Sequence, residues 1–363
     1  MTPLEQYLNT LDLLRFLKQE PRHFNTTDHV PVKQRAPMFG LTSIDDDSWL
    51  IGDRVVLARS GQPWPSHTPG LISTWTSSDG NHYAISDAPV PPPTSRPWAP
   101  GDSPVLAHLA AGGGISISTG DDADLAQVTS KCVYYIGDAF IKMHHTIHCD
   151  STDEHVAINE LRQRLPNRTF ALPTVLYQAR YDDRYFLVTS KVPGETAERL
   201  WWSLDDAVKN HYAELIAQAC IEVATLTSND LGTGIDGSAA ENGRFRKSLT
   251  RKDMSDMHAN CRMLNLDVES SFCLFHEDLG PTNVIINPQS RAIGIIDWQA
   301  ADYVPREWIG IAFARALAMV QDPPFPEGYE SNDYAKRVWE ALQRRGFGDD
   351  GSAWLSWKRL DWQ

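Results

Sequence analysis

The chain has 363 residues, 42% hydrophobic and 22% charged, with a formal net charge of −14. That is enough for two or three packed modules with a sizeable core. So acidic a balance argues against nucleic-acid binding as the main task, because phosphate backbones are held by net-basic surfaces.

The first segment, "MTPLEQYLNTLDLLRFLKQ", places Leu4, Leu8 and Leu11 at helical spacing. Glu5 and Asp12 argue against a transit peptide, so an ordinary amphipathic helix is expected. "SWLIGDRVVLARSG" (48–61) reads as a hairpin of β-branched residues around Gly52-Asp53. "VPPPTSRPWAPGDSP" (90–104) reads as an extended connector. "VYYIGDAFIKM" (133–143) repeats the Ile-Gly-Asp turn, a second hairpin signal. Residues 153–165 predict a helix with Val156, Leu161 and Leu165 facing inward. Residues 174–192 predict two strands joined at Asp182-Asp183, broken by "VPGET". A helix over 211–226 carries Tyr212, Leu215, Ala219, Val223 and Leu226 on one face. The polar tract 240–270 reads as helical, with a basic set from Arg244 to Lys252 that is best taken as a solvated face. Short strands follow at 284–287 and 292–297, then helices near 306–320, 333–345 and 353–360.

This order predicts an α+β architecture: a small antiparallel-sheet lobe on a larger helical lobe, with a cleft between them. The expected segments are an N-terminal extension (1–105), the sheet lobe with a hinge at its end (106–192) and the helical lobe (193–363). No run of about 18 apolar residues occurs, so no membrane span is expected. The five cysteines (Cys132, Cys149, Cys220, Cys261 and Cys273) form no CxxC pair and suit reduced thiols of a cytoplasmic protein.

The chemistry concentrates in "FHEDLGPTN" (275–283) and "GIIDW" (294–298). A hairpin between 284–287 and 292–297 brings Asn283 and Asp297 to one end. An amide oxygen and a carboxylate are hard ligands that suit Mg²⁺. Asp278 then stands near the metal, where a general base can reach an incoming hydroxyl. Metal, charge neutralisation and aligned reactants are what phosphoryl transfer needs. Lys142, charged on an apolar strand, should face a cleft or pair with an acid. Glu160 on the following helix is the expected partner and Glu154 the runner-up. "KMHHTIHCDSTDEH" (142–155) holds possible zinc ligands, but its spacing matches no closed site, and a polar loop is the better reading. Asp45-Asp46-Asp47 and Asp205-Asp206 read as acidic turns or helix starts rather than receptors for an amine.

With these residues assembled, the chain resembles the aminoglycoside phosphotransferase/choline kinase family, in particular its fungal members of unassigned substrate. HxDxxxxN falls on His276, Asp278 and Asn283, and the acid of "IDW" on Asp297. "VYYIGDAFIKM" resembles the family's second and third strands, "YFLVTSKVPGET" (185–196) its hinge, and "DYVPREW" (302–308) the tract after its metal site. The resemblance covers roughly 130–320. It implies a protein-kinase-like two-lobed fold and ATP- and Mg-dependent transfer of the γ-phosphoryl group to a hydroxyl of a small metabolite. By the same resemblance Asp278 is the catalytic base or hydroxyl-orienting group, His276 braces the loop, and Asn283 and Asp297 hold Mg²⁺. Lys142, steadied by Glu160, holds the ATP phosphates, and backbone near Ser190 and Val192 holds adenine. The pattern departs from the family at Glu277, where Gly is common, at Thr189-Ser190-Lys191, where Met-Glu-Tyr is common, and before Lys142, where no clear glycine-rich loop stands. The alternative is a kinase-fold protein that uses the cleft for binding or other chemistry.

Overall fold

A computed structural model describes residues 41–52, 54–87, 107–111, 131–146, 152–181, 184–238, 257–319 and 333–347. The expected helices near residues 1–19 and 353–360, the connector 90–104 and the basic set from Arg244 to Lys252 lie outside them.

The described chain begins with five antiparallel strands: β1 (Leu41–Asp45), β2 (Ser48–Ile51), β3 (Val55–Ser60), β4 (Leu71–Thr76) and β5 (His82–Ser86). They form one sheet in the order β1-β2-β3-β5-β4. The expected 48–61 hairpin is present as β2 and β3, with Ile51 opposite Val55. The other strands were not legible: β4, "LISTWT", alternates half-buried and exposed positions with no strong apolar face. Asp45 works as turn chemistry, its Oδ1 accepting from Asp47 N at 2.9 Å and Ser48 Oγ at 2.7 Å.

A second sheet has the order β6-β7-β8-β10-β9, from β6 (Ala107–Ala111), β7 (Lys131–Ile136), β8 (Ala139–His145), β9 (Val175–Tyr181) and β10 (Arg184–Ser190). The two sheets share one apolar core. Trp49, Ile51, Val55, Leu57, Tyr83 and Ile85 of the first meet Ile136, Ala139, Ile141, Met143, Phe186 and Val188 of the second. Side chains alternate across a strand. So committing Ile141 and Met143 to this core turns Lys142 to the opposite face, where the cleft lies. Helix α1 (Glu154–Arg164) packs near β9 with Ala157, Ile158 and Leu161 buried. Val156 and Leu165 are only half-buried.

The helical lobe has its own large core. A short helix α2 (Ala197–Leu200) precedes α3 (Asp206–Val223), which starts earlier than expected because Asp205 caps it, accepting from Val208 N at 2.8 Å. In the 240–270 tract only α4 (Met257–Met263) is a described helix, and residues 264–271 are a turn followed by irregular chain. Helices α5 (Trp308–Met319) and α6 (Asp333–Gln343) pack on each other, and α6 on α3.

Two three-stranded sheets position the site. One orders β11 (Glu195–Thr196), β14 (Val284–Asn287) and β15 (Ala292–Ile295). The other orders β12 (Thr227–Ser228), β13 (Phe272–His276) and β16 (Ala301–Val304). Gly194 is required at the exit from the sheet lobe. Its φ is +129°, and a Cβ there would fall 2.3 Å from Ile286 O.

Candidate active site

β13 ends at His276 and hands the chain to a turn that returns as β14. The β14–β15 hairpin pairs Val284 with Ile295, and Ile296 N donates to Asn283 O at 3.0 Å. Asn283 and Asp297 therefore leave the same end of the hairpin, as their spacing predicts.

His276 is buried and fully engaged. Asp278 N donates to its Nδ1 at 3.2 Å, so the proton sits on Nε2, which donates to Ile296 O at 2.9 Å. Its ring meets Trp298 edge-on at 4.8 Å between centroids. Burial pushes its pKa below the usual 6.5, against the upward pull of the Ile296 carbonyl and of Asp297 and Asp278. A neutral imidazole with both nitrogens committed is a brace for the loop.

Asp278 is exposed. Asn283 Nδ2 donates to Asp278 O at 2.7 Å and to Asp278 Oδ2 at 3.0 Å. That spends the amide nitrogen on orienting the acid. Among the described residues no hydrogen bond engages Asn283 Oδ1, which leaves a hard oxygen available beside Asp297.

Asp297 has left-handed backbone, φ 63° and ψ 51°. Such a conformation is costly for a non-glycine residue and persists where surrounding structure enforces it. Here Trp298 is the anchor, fully buried, with Nε1 donating to Ile295 O at 2.9 Å and its ring stacked on Phe170.

Lys142 Nζ crosses the cleft to Asp297 Oδ1 at 2.8 Å, and also meets Glu154 at 2.7 and 3.0 Å. Burial alone would lower the lysine's pKa. The carboxylates of Glu154 and Asp297 outweigh it and hold the ammonium above its ordinary value. The expected partner Glu160 is thus corrected to Glu154. Six residues along a helix turn the side chain by about 240° and carry it about 9 Å down the axis. Glu160 is on another side of α1 and half-buried, whereas Glu154 opens the helix and is only 2% exposed. The start of α1 is also tied down, with Asp153 paired to Arg180 at 2.6 Å and Thr152 Oγ1 donating to Asp236 Oδ1 at 2.7 Å.

In the hinge, Ser190 N–H donates to Thr174 O at 2.9 Å and Lys191 N–H to Asp138 O at 2.7 Å. Among the described residues no hydrogen bond engages the Val192 N–H. Of the two expected adenine contacts, Val192 keeps a donor available and Ser190 has spent its own.

Glu277 is the residue whose use was not legible. It is buried, its N–H donates to Ala300 O at 2.9 Å, and its Oε1 accepts from Trp308 Nε1 at 2.8 Å. It fastens the turn to the first residue of α5. Among the described side chains near Lys142, His144 and His155 are also used structurally. His144 and His155 flank the Tyr185 ring, and the Tyr185 hydroxyl lies 2.9 Å from His155 Nδ1. The acidic and glycine-rich stretches before Lys142, 110–130, lie outside the described residues apart from the end of β6.

The sequence of residues 131–342, more than half of the chain, matches the family described as "Phosphotransferase enzyme family". The chain belongs to the phosphotransferase enzyme family. Its two lobes are the kinase-like α+β fold of these phosphotransferases. No curated protein matches the chain. Among solved structures, it is similar to the streptomycin–ATP ternary complex of APH(2″)-IIa, with a TM-score of 0.41, 18% identity, and 70% of this chain and 82% of that one covered. It is similar to the aminoglycoside phosphotransferase APH(3″)-Id from Streptomyces rimosus with ADP and streptomycin, at 0.39 and 17%, covering 64% and 91%. It is also similar to a thermostable APH(4)-Ia mutant with AMP-PNP and hygromycin B, at 0.39 and 14%, covering 71% and 94%. No helix among the described residues is long and apolar enough to cross a membrane.

Proposed function

We propose that this phosphotransferase binds Mg-ATP in the cleft and passes the γ-phosphoryl group to a hydroxyl of a small metabolite. The observation that carries the reading is the 2.8 Å contact between Lys142 Nζ and Asp297 Oδ1. It joins a cation from the sheet lobe to an acid of the helical lobe at one point, beside Asn283 and Asp278. Asn283 Oδ1 and the Asp297 carboxylate are the residues that would hold Mg²⁺, since hard oxygens with room for water and phosphate suit that ion. When bound, the ion supplies charge neutralisation on the phosphates.

The chain's own groups do the rest. Lys142 faces the phosphates as a fixed positive charge, its direction set by Glu154. Asp278 receives or orients the hydroxyl proton, and Asn283 Nδ2 fixes where its carboxylate points. The Val192 backbone N–H offers an adenine contact. Holding the two reactants in register is the larger part of such catalysis.

A thermal-shift titration with Mg-ATP, followed by an ADP-release screen over hydroxylated metabolites, amino alcohols and aminoglycosides, tests the reading. Ligand at about 100 Kd should add roughly 2.7 kcal/mol of stability. No shift at millimolar Mg-ATP would favour the alternative, a kinase-fold protein with other work for its cleft.

A further inference from the structure

The five-stranded sheet β1–β5 stands outside the machinery described so far, yet hydrogen bonds tie it to the Gly137-Asp138 turn, which meets the hinge. Asp138 lies in the β7–β8 turn with Gly137, both left-handed at φ 59° and 53°. Glycine would suit that position with less steric cost than aspartate. The carboxylate is used elsewhere. Its Oδ2 accepts from Ser78 N at 2.7 Å and Ser77 Oγ at 3.3 Å, both in the β4–β5 turn, and its Oδ1 accepts from Tyr135 OH at 2.5 Å. Trp75 of β4 adds a second tie, its Nε1 donating to Gly137 O at 2.6 Å. The Trp75 ring stacks on Tyr83, and a Cβ on Gly137 would strike that tyrosine at 2.2 Å. The backbone of the same aspartate faces the other way. Asp138 O accepts from Lys191 N at 2.7 Å, one residue before Val192.

We propose that the β1–β5 sheet sets the position of the hinge through Asp138, which makes Asp138 a positioning residue for the adenine nucleotide. The inference rests on the reading that the Val192 backbone meets adenine. Two turns sixty residues apart in sequence close on one carboxylate, and that residue's carbonyl holds the hinge N–H. Movement of the β4–β5 turn therefore moves the peptide that precedes the nucleotide contact, without touching Lys142, Asp278 or the metal ligands.

The test is Asp138→Gly, which keeps the left-handed turn and removes only the carboxylate. Asp138→Asn keeps one acceptor oxygen, and Trp75→Phe keeps the ring and loses its N–H. Amide hydrogen exchange at Lys191 is read in the unliganded protein. Affinity is read for Mg-ADP and for Mg-tripolyphosphate, which lacks the base. Expected for Asp138→Gly is Lys191 exchange at least ten-fold faster, Mg-ADP about ten-fold weaker, and Mg-tripolyphosphate within two-fold of wild type. Asp138→Asn and Trp75→Phe should fall between. Unchanged Lys191 exchange, unchanged Mg-ADP affinity, or equal losses for both probes would each overturn the proposal. Wild-type protein that binds neither probe would overturn the nucleotide reading and the positioning role with it. That pattern differs from every failure of the clasp alone.

Discussion

The two sides of the cleft are held in different ways. On the helical side the candidate site residues lie within one short stretch, 276–297, and brace one another. His276 holds Ile296 and the Asp278 backbone, and Asn283 holds Asp278. On the sheet side each working group depends on distant chain. Lys142 is set by Glu154 and by Asp297, 155 residues away, and the hinge by Asp138, itself tied to Ser78. Local bracing confines damage to the chemistry, whereas long-range bracing makes function and folding fail together.

The sharpest way to break this comparison is to remove one acid from each side. Asp278→Asn should cut the rate of phosphoryl transfer by about 10²–10⁴-fold, the usual worth of a positioned general base. Its side chain is exposed, so the melting temperature should hardly move, as for surface changes within about 0.5 kcal/mol. A Tm scan beside the rate assay checks both. Glu154→Ala should cost activity and stability together, because it leaves Lys142 with Asp297 alone in a mostly buried site. Breaking such a pair costs about 3–5 kcal/mol. Glu160→Ala, by contrast, should leave both near wild type in the same urea-unfolding and rate measurements.

A smaller effect is expected at Glu277. Trp308→Phe removes the N–H that meets Glu277 Oε1 and should cost about 1–3 kcal/mol of stability, the price of an unmet buried partner. Because the tie runs to α5 and not to the cleft, Mg-ATP affinity should change less than the rate.

The smallest effect is a pH dependence. His276 has a folded pKa below its unfolded value of about 6.5, so the unfolded chain binds the extra proton first. Its contribution is therefore complete above about pH 6.5 and is lost as pH falls toward the folded pKa. Tm measured from pH 8 to pH 5 should decline in this window, and less steeply in His276→Asn. Asp138 behaves alike at lower pH. Burial would raise its pKa, but hydrogen bonds from Tyr135 and Ser78 hold it at about 2. Its contribution is full above about pH 4 and fades as pH falls toward 2.

The same contrast decides what was legible in the sequence. That His276, Asp278, Asn283 and Asp297 come together could be read because turn chemistry and hairpin register act over a few residues. The strand of Lys142 was legible from its apolar neighbours, and the two Ile-Gly-Asp hairpins from their turns. The partner of Lys142 was not, because a helix register error of a few residues selects a different face. The β1–β5 sheet was seen only as its 48–61 hairpin. Its outer strand β4 has no strong apolar face, and what stabilises the sheet is contact with Ile136 and Ile141 far along the chain. Glu277 departs from the family's glycine, and only the fold shows Trp308 waiting for it.

The most direct measurement follows the phosphoryl group itself. Wild type and Asp278→Asn are mixed with Mg-ATP and the best acceptor from the ADP-release screen, and the product is read by phosphorus NMR in a single turnover. The account predicts a new phosphate monoester on the acceptor's hydroxyl in wild type, formed at least about 10²-fold more slowly in the variant. Equal rates in the two proteins, or ATP lost to the acceptor without any monoester appearing, would contradict it.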